Sequence, residues 1–136
     1  MNETVTLTRY AMAYGAALLV MGVLDALWLG WVAKDFYAQH MAGHRAESVQ
    51  LLPAALFYFG YPVGLVFLAL YPLPESMAGA VLRAAVVGLT AYGVYDLTNL
   101  ATLRDWSARM AAVDAVWGGC ASAVAGAAAY WVLRRG

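Results

Sequence analysis

Three carboxylates stand inside runs that are otherwise apolar: Asp25 in GVLDALWLG, Asp96 in GVYDLTNLATL and Asp114 in AAVDAVWGG. Groups able to donate hydrogen bonds accompany each: Trp28 near Asp25; Tyr95, Thr98 and Asn99 near Asp96; Trp117 near Asp114. Acids with amide and aromatic neighbours in an apolar setting bind cations, small polar solutes or lipid headgroups, or they hold protons. Two acids and an amide also supply the oxygens that a hard divalent cation such as Mg²⁺ takes. No cofactor is identified by any motif; a metal held by Asp25, Asp96 and Asp114 is what the residue types would allow. Lys34, Asp35, Tyr37 and Arg104 follow shortly after the apolar runs and form a candidate rim.

The elements that carry these acids are membrane spans. Of 136 residues, 64% are hydrophobic and only 12% charged, too little charge for a soluble domain of this size. Formal net charge is zero, so no basic stripe is available for phosphates and nucleic acid is excluded as a partner. A bilayer core needs about 20 mostly apolar helical residues. Four stretches reach that length, at about 10–33, 51–73, 79–103 and 110–133. In lipid the backbone must satisfy its own hydrogen bonds, so these stretches are helices. The fold class is therefore all-α integral membrane, an antiparallel four-helix transmembrane bundle, with residues 1–136 as a single transmembrane domain. The N-terminal run lacks a basic leader and an A-x-A site, and reads as a retained first span rather than a signal peptide.

Tyr10, Trp31, Tyr71, Trp106, Tyr130 and Trp131 fall near span ends and are expected as interfacial anchors. Pro62 lies mid-span and is expected to kink the second helix. Arg9, Arg83, Arg134 and Arg135 balance Lys34, Arg45, Arg104 and Arg109 across the membrane. The positive-inside count is thus a tie, and the undiluted Arg134–Arg135 pair favours cytoplasmic termini. His40 and His44 are four apart in the first loop and would share a helix face. No Cys or acid completes a zinc set there, so an interfacial helix with solvated histidines is expected.

Helix arithmetic brings the acids to one level. Asp25 and Asp96 precede Lys34 and Arg104 by nine and eight residues, about 12–14 Å of depth at 1.5 Å per residue. Asp114 follows Arg109 by five, about 7 Å below the same surface. All three thus occupy the half of the bilayer next to the first and third loops. An aspartate there costs roughly 2.5–3.5 kcal/mol on insertion scales, so the acids should face the bundle interior. Two readings follow: a polar chamber, or three separate staples between helices.

Small residues mark packing faces: Gly118, Ser122 and Gly126 on span four, Ala80, Ala84 and Gly88 on span three, Gly60 and Gly64 on span two. They let helices approach closely. Span four is expected to be the most enclosed helix, or its small face joins two copies in a homo-oligomer. GVLDALWLGWVAKDF and GVYDLTNLATLRDW also share a G-V-x-D start and a basic-Asp-aromatic end. Two duplicated hairpins would explain this, as would coincidence among Gly- and Ala-rich spans.

LDALWLG, KDFY, YDLTNLATL and VDAVWGG together resemble a family of small four-span bacterial inner-membrane proteins of unknown function. The resemblance runs from about Tyr10 to Tyr130. It implies a multi-pass inner (cytoplasmic) membrane location and signature positions at Asp25, Trp28, Lys34, Asp35, Tyr37, Asp96, Asn99, Asp114 and Trp117. It also implies a link to lipid or fatty-acyl metabolism.

Three functions compete. The first is binding or transport of a cation, small polar solute or lipid headgroup by the acidic pocket. The second is an intramembrane enzyme acting on lipids, although no nucleophile–base pair, H-E-x-x-H, P-loop or dinucleotide fingerprint is present. The third is an accessory subunit of a membrane complex. The bilayer is the one partner common to all three.

Overall fold

The computed structural model describes residues 6–43 and 50–135. Among the described residues the chain forms five α-helices: α1 (Leu7–Leu27), α2 (Lys34–His40), α3 (Leu51–Leu70), α4 (Met77–Thr102) and α5 (Ala108–Arg135). A π-helical turn, Trp28–Val32, extends α1. Four segments are long and apolar enough to cross a membrane: Leu7–Val32 and helices α3, α4 and α5. There is no strand among the described residues.

Polar caps set three of the helix starts. Thr6 Oγ1 accepts from the Arg9 amide, Ser76 Oγ from Gly79 and Ser107 Oγ from Met110. Each satisfies an amide that the first turn of a helix leaves free. The α4–α5 turn is tight, and Asp105 takes φ 61°, a left-handed backbone that Asp tolerates better than most side chains. α3 runs unbroken across Pro62.

α5 is the central helix. Of its apolar stretch 44% is buried, against 11–17% in the other three spans. Its partner on the tightest contact is α4. A Cβ at Gly88 would overlap the Gly118 carbonyl and the Ser122 side chain, and one at Gly126 would overlap Ala84. Ala80, Ala84, Ala121, Ala125 and Ala129 are all buried around this seam. Van der Waals contact drives helix association in lipid, and backbones this close maximise it. α1 lies on another face of α5 through Ala13, Ala17 and Met21.

The small residues of α3 behave differently. Among the described residues nothing lies within 4 Å of a Cβ at Gly60 or Gly64, so the close contact expected of them is not found there. Every residue from Leu51 to Gly60 is exposed, and α3 is buried mainly in its second half, through Leu65, Val66, Ala69 and Leu70. Two expected anchors are also inside. Trp106 is 7% exposed and Tyr130 4%, the latter donating to the Pro74 carbonyl at 3.0 Å. Trp31, Tyr71 and Trp131 are exposed near the span ends. At the termini end of the bundle, the Arg9 guanidinium donates to the Leu133 carbonyl. A cation there also suits the negative end of the α5 dipole.

Candidate functional site

The site begins where α1 stops being regular. The Ala33 amide bonds to the Trp28 carbonyl at 2.7 Å, closing a ring one residue wider than an α-turn. The wider turn leaves Trp28 half-buried while Trp31 and Val32 are exposed. The Trp28 indole stacks on that of Trp117 from α5, with centroids 4.4 Å apart and planes 5° from parallel. Trp117 Nε1 then donates to Asp25 Oδ1 at 3.1 Å.

A second chain of hydrogen bonds comes from α2. Trp28 Nε1 donates to the Tyr37 hydroxyl at 3.2 Å, and that hydroxyl donates to Asp114 Oδ1 at 2.9 Å. Tyr37 is 5% exposed, and with Ala33 it joins Trp106, Met110 and Ala111 in a second apolar cluster. This packing holds α2 over the loop end of α5. Burial, with the neighbouring Asp114 charge, pushes the Tyr37 phenol above its ordinary pKa. Tyr37 therefore stays a neutral donor at any physiological pH.

Asp96 is 2% exposed. It lies close enough to Asp114 and to the Trp106 indole to interact with both. Neither of its oxygens has a hydrogen-bond partner of ordinary geometry among the described residues. The Tyr95 ring meets Trp106 edge-on at 6.1 Å.

These groups border a cavity of about 630 Å³ between α1, α3, α4 and α5. Asp25, Asp114 and Trp117 bound it on one side, and Phe57, Tyr61 and Tyr92 supply aromatic walls. The hydroxyls of Tyr61 and Ser122 are hydrogen-bonded at 2.6 Å, which pins that wall to α5. Leu29, Phe57 and Tyr95, also in the lining, are 49–53% exposed. The cavity is thus open on the side where α3 stands away from the bundle. A second cavity of about 720 Å³ shares Tyr61 and Ala91 with the first. It continues between α3 and α4 past Gly64, Leu68 and Val86 to Leu82 and Arg83. From Tyr95 in the first to Leu82 in the second, the two linings cover about 20 Å of α4 at 1.5 Å per residue.

The structure brings Asp25, Asp114, Trp117 and Tyr95 to the first cavity and sets Asp96 and Trp28 behind it, each touching a lining residue. Among the described residues, no three His, Cys, Asp or Glu side chains are placed to hold a metal ion. The carboxylates of Asp25, Asp96 and Asp114 therefore do not converge as one ligand set. Asn99 is half-buried and interacts with Tyr95 on its own helix. Thr98 is exposed; its carbonyl accepts from Thr102 Oγ1. Lys34, Asp35 and Arg104 are exposed at the loop end. His40 Nδ1 donates to the Phe36 carbonyl at 2.8 Å, and His44 lies outside the described residues. Phe57, Tyr92, Leu29 and Ala91 line the site without any polar signal in the sequence to mark them.

Tyr37→Phe tests the α2 anchor. It removes one hydroxyl that both accepts from Trp28 and donates to Asp114. The expected cost is about 1–3 kcal/mol, the range for a buried hydrogen bond to a charged group and its orphaned partner. Unfolding by SDS in mixed micelles measures it. A loss under about 0.5 kcal/mol would mean that apolar packing alone holds α2.

No curated protein and no solved structure matches the chain. A family described as predicted membrane protein (DUF2177) matches residues 10–131. That match takes in α2, α3 and α4 whole, all but the outer ends of the first and last spans, and every lining residue of the first cavity, and the chain belongs to this family of membrane proteins.

Proposed function

We propose that the protein binds an amphiphile of the bilayer, with its polar head at the Asp25–Asp114 end of the cavity and its chain in the α3–α4 groove. The observation that carries this reading is that the two cavities lie side by side along α4, with Tyr61 and Ala91 in the walls of both. A small polar solute would need a closed, polar chamber. Here the carboxylates occupy one end of a long apolar groove that is open toward lipid. Such a shape fits a molecule with one polar end and one apolar chain. The exposed first half of α3 gives that molecule a lateral entrance that does not require passage through water.

Gly64→Leu is the direct test. A Cβ at Gly64 meets nothing within 4 Å, so the new side chain fills the groove without moving the backbone. Leucine is also the better helix former. The folded protein is expected to keep its stability while the lipid that co-purifies from mild detergent falls several-fold, read by native mass spectrometry. Unchanged lipid content in a folded Gly64→Leu protein would overturn the proposal.

A further inference from the structure

We propose that the head of this amphiphile is an ammonium group, held by Asp25 and Asp114 inside the box formed by Trp117, Tyr92 and Tyr61. The inference rests on the amphiphile reading and adds the chemistry of the head.

Charge is the first argument. The charged neighbour of both Asp25 and Asp96 is Asp114, and among the described residues no Lys or Arg lines the first cavity. Lys34, Arg104 and Arg109 are exposed instead. Acids gathered without a cation in an apolar setting repel an anionic head and attract a cationic one.

Hydrogen bonding is the second. Tyr37 donates to Asp114 Oδ1 and Trp117 donates to Asp25 Oδ1, while Asp114 also meets Asp96, so these two residues present carboxyl oxygens to the cavity. The Tyr61 hydroxyl is already bonded to Ser122. Besides these oxygens the lining offers the neutral hydroxyls of Tyr92 and Tyr95 but no cationic donor among the described residues, where a phosphate, sulfate or carboxylate head is best met by charged donors.

The walls are the third. Phe57, Tyr61 and Tyr92 pack as an aromatic group, with Tyr61 and Tyr92 edge-to-face at 5.9 Å. Ring faces bearing negative quadrupole charge, set beside carboxylates, are the surroundings in which alkylated ammonium groups bind. A hydrated divalent ion gains nothing from such walls. Behind this box, Asp96 stands buried beside Asp114 with both oxygens lacking an ordinary hydrogen-bond partner among the described residues. Through its contact with Asp114 it bears on how that carboxylate meets the head.

The test uses the full chain in phosphatidylglycerol nanodiscs, which contain no amine lipid. Three photoreactive alkyl diazirine probes of one chain length carry a trimethylammonium, a sulfonate or a hydroxyl head. Labelling of α3 and α4 is read by peptide mapping and normalised to labelling of the bilayer. The ammonium probe is expected to label the groove about tenfold more than either comparator, as about 1.4 kcal/mol of preference requires. Asp25→Asn with Asp114→Asn should bring it down to their level. Equal labelling by all three probes, lost in Gly64→Leu, would overturn the ammonium assignment and leave amphiphile binding standing. Absence of groove labelling by every probe would overturn both. The comparison among probes uses the unaltered protein, so it is decisive even where the double variant folds poorly.

Discussion

Gly88→Leu is expected to destabilise the bundle by about 3 kcal/mol, at the upper end of the range for overpacking a filled site. A Cβ at that position overlaps the Gly118 carbonyl as well as Ser122. A side-chain obstacle can rotate away; a carbonyl can yield only if α4 and α5 move apart. Separation would strip contacts along the whole seam, where Ala80, Ala84, Ala121, Ala125 and Ala129 are buried. In lipid that contact is the main attraction between helices, and no hydrophobic effect replaces it. Gly60→Leu is the internal control, because nothing lies within 4 Å of its Cβ. Its effect should stay within about 0.5 kcal/mol. SDS-driven unfolding of both variants measures the difference. Equal midpoints would show that the α4–α5 approach does not hold the bundle together.

That contrast marks where the sequence was legible. Gly60, Gly64 and Gly88 look alike in composition, and each sits in a span with small neighbours. What separates them is the rotation and tilt of their helices, which no single span encodes. The spans themselves were plain, because a 20-residue apolar requirement tolerates little ambiguity. Their ends shifted by up to three residues: the first starts at Leu7 because Thr6 caps it, and the second stops at Leu70 ahead of two prolines. Depth arithmetic set the three acids near one level, and the Tyr37–Asp114 bond joins the rim to that level. The aromatic walls were hidden, since Phe57 and Tyr92 are ordinary residues for a span. Trp106 and Tyr130 were misplaced for a related reason. An aromatic ring at a span end is equally at home in the headgroup layer or folded back onto the bundle. The turn through Asp105 favours the second for Trp106, and the Pro74 carbonyl favours it for Tyr130.

Asp96→Leu is expected to stabilise the protein by about 1–3 kcal/mol, the cost of burying a polar group whose hydrogen bonds are imperfect. It should also reduce labelling by the ammonium probe. Asp96 is 2% exposed, and its oxygens have no ordinary hydrogen-bond partner among the described residues. Its charged neighbour is another carboxyl, Asp114. A staple between helices earns its place through a bond to the facing helix, so removing a staple must cost stability. A carboxyl kept for its charge or its proton does the reverse, because burying a polar group that meets Asp114 and Trp106 only in poor hydrogen-bond geometry is unfavourable. The sign of one measurement thus separates the two readings of the buried acids. A raised unfolding midpoint with weakened ammonium labelling marks a group retained for binding. A midpoint lowered by 1 kcal/mol or so would make Asp96 structural. Action on a ligand would then fall to Asp25 and Asp114 of the cavity, each already holding one donated bond.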